Sequence, residues 1–218
     1  MLQTKILELK QLLMAEASLV EKMVTMSIDG LQNGYPEALK EVLTFEMRVN
    51  TLEVEVENKC TATIALYQPE AHDLRLILMI YKINNDLERL GDQAVNIAES
   101  ADQLQGSVSV RELPELALMK TAALSMLKKA LDGFAKEDTE LAKQVCHMDD
   151  TVDDLNRGIY KHLVELLKAR PDQTTDYLHL LRIAKNLERI GDLSTNIAEN
   201  TIYLAVGRVI KHQGETED

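Results

Sequence analysis

A thirteen-residue stretch occurs twice in this chain, one hundred residues apart: residues 87–99 read LERLGDQAVNIAE and residues 187–199 read LERIGDLSTNIAE. Nine positions are identical, namely Leu87/Leu187, Glu88/Glu188, Arg89/Arg189, Gly91/Gly191, Asp92/Asp192, Asn96/Asn196, Ile97/Ile197, Ala98/Ala198 and Glu99/Glu199. A repeat of this kind constrains the architecture before any local propensity is weighed, because each copy belongs to one packing unit. No proline interrupts either copy, so both lie inside helices. At about 100° per residue, Glu88, Asp92, Asn96 and Glu99 fall within an arc of about 80°. Leu87, Leu90, Ala94, Ile97 and Ala98 fall on the opposite side. Each copy is therefore an amphipathic helix with an acidic stripe along one edge.

The likeness extends beyond the motif. With an offset of 103, Met23 aligns with Met126, Asp29 with Asp132, Gly30 with Gly133, Glu37 with Glu140, Val42 with Val145, Val49 with Val152 and Leu52 with Leu155. The offset falls to 100 in the motif helix, so one loop of the second unit is three residues shorter. Glycine and proline punctuate the chain. Gly34 and Pro36 separate helix 3–30 from helix 36–67, and Pro69 opens the turn before helix 72–104. Gln105–Glu112, around Gly106, reads as a linker. Pro114 suits the first turn of helix 114–133, and Gly133 is expected to end it. Asp138 or Thr139 can cap helix 137–169, and Pro171 precedes helix 174–210. The final HQGETED is polar and reads as a disordered tail. The expected fold is all-α: two tandem antiparallel three-helix bundles related by a pseudo-twofold internal repeat, over residues 1–105 and 106–218.

Composition agrees with helices and narrows the function. The chain has 9 glycines, 4 prolines, no tryptophan and 4% aromatic residues, so its core is aliphatic. The net charge is −12, with no cluster of Lys or Arg. That argues against direct nucleic-acid binding and favours cations or a basic protein surface. Cys60 and Cys146 match no metal or redox spacing and read as buried thiols of a reducing compartment. The N-terminus lacks the apolar core of a signal peptide. The longest apolar run, 74–83, contains Arg75 and Lys82 and is too short to span a bilayer. A cytoplasmic protein is expected.

The second helix of each unit carries a further polar pair four residues apart: Glu46 and Asn50 in the first, Asp149 and Asp153 in the second. Antiparallel neighbours can bring these to Glu88/Asp92 and Glu188/Asp192. A single Glu-x-x-x-Asp pair is usually a solvated helix face. Here the pair recurs in both units although like charges at that spacing cost a few tenths of a kcal/mol. Common ancestry of the units would also preserve a structural feature. Carboxylates converging from two helices would bind hard or borderline cations such as Mg, Mn, Ca or Fe. Gly91 and Gly191 point toward the apolar side and suggest close helix packing. Arg89 and Arg189 are placed to pair with neighbouring carboxylates. The five histidines form no ligand spacing, and the Glu-x-x-His motif of di-iron bundles is absent.

Two units with LER[LI]GD followed by NIAE, together with QPEAHDLRLI at 68–77, resemble the PhoU family of phosphate-uptake regulators over nearly the whole chain. The resemblance implies a cytoplasmic, non-enzymatic negative regulator of the phosphate-starvation response, acting as a homodimer. It implies as partners the ATPase subunit of the phosphate ABC transporter and the phosphate-sensing histidine kinase, reached at the membrane only through them. It also implies a multinuclear iron or zinc cluster on paired E(D)xxxD motifs; Mn or Mg also suits such donors. Carried over, the ligands are Glu46, Asn50, Glu88 and Asp92 in one site and Asp149, Asp153, Glu188 and Asp192 in the other. Asn50 departs from the acidic pattern. Gln93 and Leu193 stand where some relatives have His. Two other readings remain from the residues themselves: a carboxylate-bridged metal hydrolase or oxidase, and a metal-free helical scaffold. Formal charge, −4 in the second set and −3 in the first, predicts that the second site fills first.

Overall fold

In the computed structural model, residues 1–33, 37–104 and 112–207 are described, and every long element among them is an α-helix. The order is α1 (Leu2–Asn33), α2 (Ala38–Tyr67), α3 (Ala71–Gln103), α4 (Pro114–Lys136), α5 (Thr139–Ala169) and α6 (Thr174–Val206), with a short 3-10 turn at Pro171–Gln173. Helices α1, α2 and α3 pack on one another, and α4, α5 and α6 repeat that arrangement. Helix α3 also lies along α6, and α1 touches α4. One hydrophobic core runs through both bundles.

The repeat offset and the core coincide residue by residue. In α1, Ile6, Leu9, Leu13, Ala17, Val20, Val24 and Ile28 are buried, a three-and-four spacing that lines one face of a helix. Their counterparts in α4, Leu116, Ala123, Leu127 and Leu131, stand 103 residues after Leu13, Val20, Val24 and Ile28 and are buried too. A methyl added at Gly91 would lie 3.5 Å from Met23 and 3.8 Å from Val49; one at Gly191 would lie 3.4 Å from Val152 and 3.7 Å from Met126. The same glycine–methionine–valine contact thus closes α3 onto α1 and α2, and α6 onto α4 and α5.

Several expected boundaries shift: α1 runs to Asn33 rather than 30, and α2 and α5 start two residues later than expected. Gly133 does not end α4, which continues to Lys136; the left-handed stop is Glu137, at φ 54°. Gly133 is instead buried, where a methyl would approach the Asp138 carbonyl oxygen at 3.4 Å and Leu141 at 3.5 Å. The glycine serves the tight α4–α5 corner. Glu137 is fixed at that corner by Lys10 at 2.8 Å and His72 at 3.3 Å, both from the first bundle. Helix α6 ends at Val206 rather than 210, because Gly207 takes the left-handed cap at φ 71°. Pro114 opens α4 and Asp138 caps α5, its carboxylate accepting from the Glu140 and Leu141 amides. The linker, apart from Glu112, and the acidic tail lie outside the described residues. Among the described residues no helix is long and apolar enough to cross a membrane.

Gly158 sits in the middle of α5 with open space where a side chain would begin. Gly158→Ala should stabilise the protein by about 0.5–1 kcal/mol. A rise of about 1–4 °C in thermal midpoint would report it; an unchanged or lower midpoint would contradict it.

Candidate metal centre

The first bundle sets Glu46 on α2 against Glu88 and Asp92 on α3. Burial pushes the Glu46 carboxyl above its ordinary range, and the charges of Asp92 and Glu99 add to it. Glu88 is raised by burial, then by Asp92, Glu53 and Glu46, with Arg89 pulling the other way. Burial also raises Asp92. Glu53, one helical turn beyond Asn50 on α2, is raised by burial, Glu57 and Asp92. These carboxyls therefore stand close enough across the α2–α3 seam to feel one another. Asn50 is exposed.

The second bundle brings Asp149 and Asp153 of α5 to Glu188 and Asp192 of α6, but each has another partner. Asp149 accepts a hydrogen bond from the Thr195 hydroxyl at 3.2 Å. Its carboxyl is raised by burial, opposed by that hydrogen bond and reinforced by Asp153 and Asp192. Asp192 is raised by burial and Glu188, opposed by Arg189 at 3.4 Å. Asp153 lies 3.9 Å from Arg157, and Glu188 pairs with Lys185. Arg89 pairs with Asp86 at 3.6 Å, so both motif arginines meet a carboxylate on their own helix. His147 is turned to the Lys143 carbonyl at 2.7 Å. Cys60 and Cys146 are free thiols, and burial pushes Cys60 up to about 12.

Among the described residues no three His, Cys, Asp or Glu side chains are gathered at one point. Unpartnered buried atoms decide how well each bundle suits a cation. In the first, both carboxylate oxygens of Glu16 and the amide oxygen of Asn84 are buried without a hydrogen-bond partner. These are oxygen acceptors, the donor type that hard cations take. In the second bundle the four carboxylates are instead paired with Arg157, Lys185, Arg189 and Thr195. Glu16 does not emerge from the motifs. Its signal lies elsewhere: it falls in register with Leu9, Leu13, Val20 and Met23, a charged residue on a core stripe.

A cleft of about 730 Å³ opens beside the second bundle's carboxylates, between α5 and α6 and reaching Asn96 of α3. Arg157, Lys161, Arg182 and Lys185 line it beside Tyr160 and Leu178. At the repeat-related positions the first bundle has Val54, Asn58, Lys82, Asn85, Glu57 and Leu78. The two halves thus share a core and present unlike surfaces.

Six helices in two alike-packed triplets, each with a carboxylate stripe on its third helix, define a twofold-repeated all-α protein. The PhoU domain model matches residues 13–101 and 116–201, one match per repeat. The chain belongs to the PhoU family. It is 37% identical over 206 residues to a phosphate-specific transport system accessory protein PhoU homolog of Aquifex aeolicus, covering 94% of this chain and 93% of that one. A homolog with the same description from Pseudomonas aeruginosa is 35% identical over 205 residues, covering 94% and 85%. The crystal structure of PhoU from Pseudomonas aeruginosa superposes with a TM-score of 0.92 at 33% identity, covering 95% of this chain and all of that one. The phosphate transport system regulatory protein PhoU from Streptococcus pneumoniae gives 0.88 at 26% identity, covering 97% of this chain and all of that one.

Proposed function

We propose that this chain is a metal-binding, non-enzymatic regulator of phosphate uptake and of phosphate-starvation signalling, acting in the cytoplasm as a homodimer. It restrains the response through the ATPase subunit of the phosphate ABC transporter and the phosphate-sensing histidine kinase. The observation that carries this reading is the match of both repeats to one family whose members are described as accessory proteins of phosphate-specific transport. The unlike surfaces of the two halves suit a protein that meets more than one partner. Glu46, Asn50, Glu88 and Asp92 would hold one cation group, and Asp149, Asp153, Glu188 and Asp192 the other, as iron or zinc by family likeness or as Mn or Mg by donor chemistry. When bound, the metal would neutralise carboxylates that otherwise repel and would tie the second helix of each bundle to the third.

The test is co-purification. The tagged full chain should retain the transporter ATPase subunit and the kinase's cytoplasmic part, each tested singly as purified protein. Charge reversal at Lys161 should weaken at least one of the two. Failure to retain either partner, with metal supplied, would sink the regulatory reading.

A further inference from the structure

We infer that Glu16 of α1 and the amide oxygen of Asn84 of α3 bind a hard divalent cation inside the first bundle, together with the carboxylates of Glu53 on α2 and Glu88 on α3. This rests on the metal-binding reading above and adds to it a ligand from a helix that carries none of the motifs.

Glu16 is 0% exposed, and neither of its carboxylate oxygens has a hydrogen-bond partner. Buried polar groups are nearly always satisfied, and one that is not calls for a water, an ion or a role. The other buried polar side chains of the core show the contrast: Ser27, Ser100, Ser194 and Thr201 each donate to a backbone carbonyl of their own helix. Asn84 is fixed by donating its amide to the Glu53 carbonyl at 3.1 Å, which leaves its oxygen bare. Asn84 lies one turn before Glu88 on α3, and Glu53 and Glu88 are near enough for their charges to reach Glu16.

The second bundle supplies an internal control. At the offsets that align the two cores, Glu16 corresponds to Met119, Asn84 to Ala184 and Glu53 to Asn156. Met119 and Ala184 are fully buried. The same packing problem is therefore solved in apolar residues a hundred positions away, and the polar solution is not required by the fold. What Glu16 and Asn84 leave unpartnered is oxygen acceptors, while the other buried unpartnered atom, Arg75 Nε, stands nine residues before Asn84 on α3. Oxygen acceptors exclude anions and soft metals and suit Mg, Mn or Ca. Glu16 and Asn84 are held by packing, whereas Glu53 and Glu88 are only partly buried and long enough to swing inward. An ordered water is the rival occupant.

The test is Mn(II) binding to the full chain, monitored through loss of the free-ion paramagnetic signal. Wild type is compared with Glu16→Gln, which keeps shape without charge, and Glu16→Met, which copies Met119. Both variants should fold, with melting temperatures at or above wild type in chelator, and both should lose at least tenfold in Mn(II) affinity at the first bundle. If they bind Mn(II) as wild type does, Glu16 is not a ligand and this inference fails while the metal reading stands. If wild type takes up no Mn(II), both fail. Should Glu16→Gln not fold, Glu16→Met decides, since its side chain already fills the equivalent site.

Discussion

In the presence of chelator, the protein should be more stable at pH 5 than at pH 8, and Glu16→Met should remove most of the difference. The Glu16 carboxyl rises from 4.5 to about 8 on folding. A raised acid keeps its proton in the folded state while the unfolded chain gives it up. The stability it contributes is fully present below 4.5 and is lost as pH rises through about 8. At about 1.4 kcal/mol per unit, that interval amounts to about 5 kcal/mol, an upper bound because a charged interior relaxes. Glu46, Glu53, Glu88, Asp92, Asp149 and Asp192 are raised as well and act in the same direction. They are partly exposed, and solvent screening makes each much smaller. Glu137, lowered by Lys10 and His72 against the effect of burial, acts oppositely. Denaturant titrations of wild type and Glu16→Met at both pH values isolate the Glu16 share. Parallel losses in the two proteins would show that Glu16 carries no such coupling.

Added Mn(II) should raise the melting temperature of wild type, and Asp92→Asn should lose more of that rise than Asp153→Asn. A ligand at a hundredfold excess over its dissociation constant stabilises by about 2.7 kcal/mol, or about 5–11 °C for a chain of this size. Formal charge on the motif residues alone ranks the second bundle ahead. We expect the opposite ranking. The structure adds Glu16 and Glu53 to the first bundle's acids, and it commits those of the second to Arg157, Lys185, Arg189 and Thr195. Breaking such pairs must precede ligation and lowers affinity. Scanning calorimetry of the three proteins, with chelator and with Mn(II), gives the order. A larger loss in Asp153→Asn would restore the charge-count ranking, and identical midpoints with and without metal would make both stripes solvated faces.

The architecture is legible because the repeat is written in core residues. Met23/Met126, Val49/Val152 and Gly91/Gly191 align in sequence and meet in space, so the pattern that reveals two units also specifies how each closes. The ends of helices are less legible. Gly133 resembles a stop because glycine favours the left-handed cap, but Glu137 occupies that conformation, held by contacts from the other bundle that no local pattern encodes. The acidic stripes can be placed on their helices from periodicity. Their individual partners cannot, because whether Asp192 faces a cation or Arg189 depends on rotamers. Glu16 is hidden for a different reason. A repeat highlights the residues its two units share, and Glu16 matters through being unlike its counterpart.

Helix α3 packs against its own bundle and also along α6, so neither triplet has a finished surface on that side. A chain cut after residue 104 would bare the face of α3 that α6 now covers. The shape that best fits this face is its repeat relative, and the nearest substitute is a second copy of α3 itself. Two such half-chains could then rebuild the whole, with the approximate twofold inside one polypeptide replaced by a true axis between two. The present molecule has the geometry of such a symmetric pair without its symmetry: one bundle buries the Glu16 carboxyl where the other buries Met119.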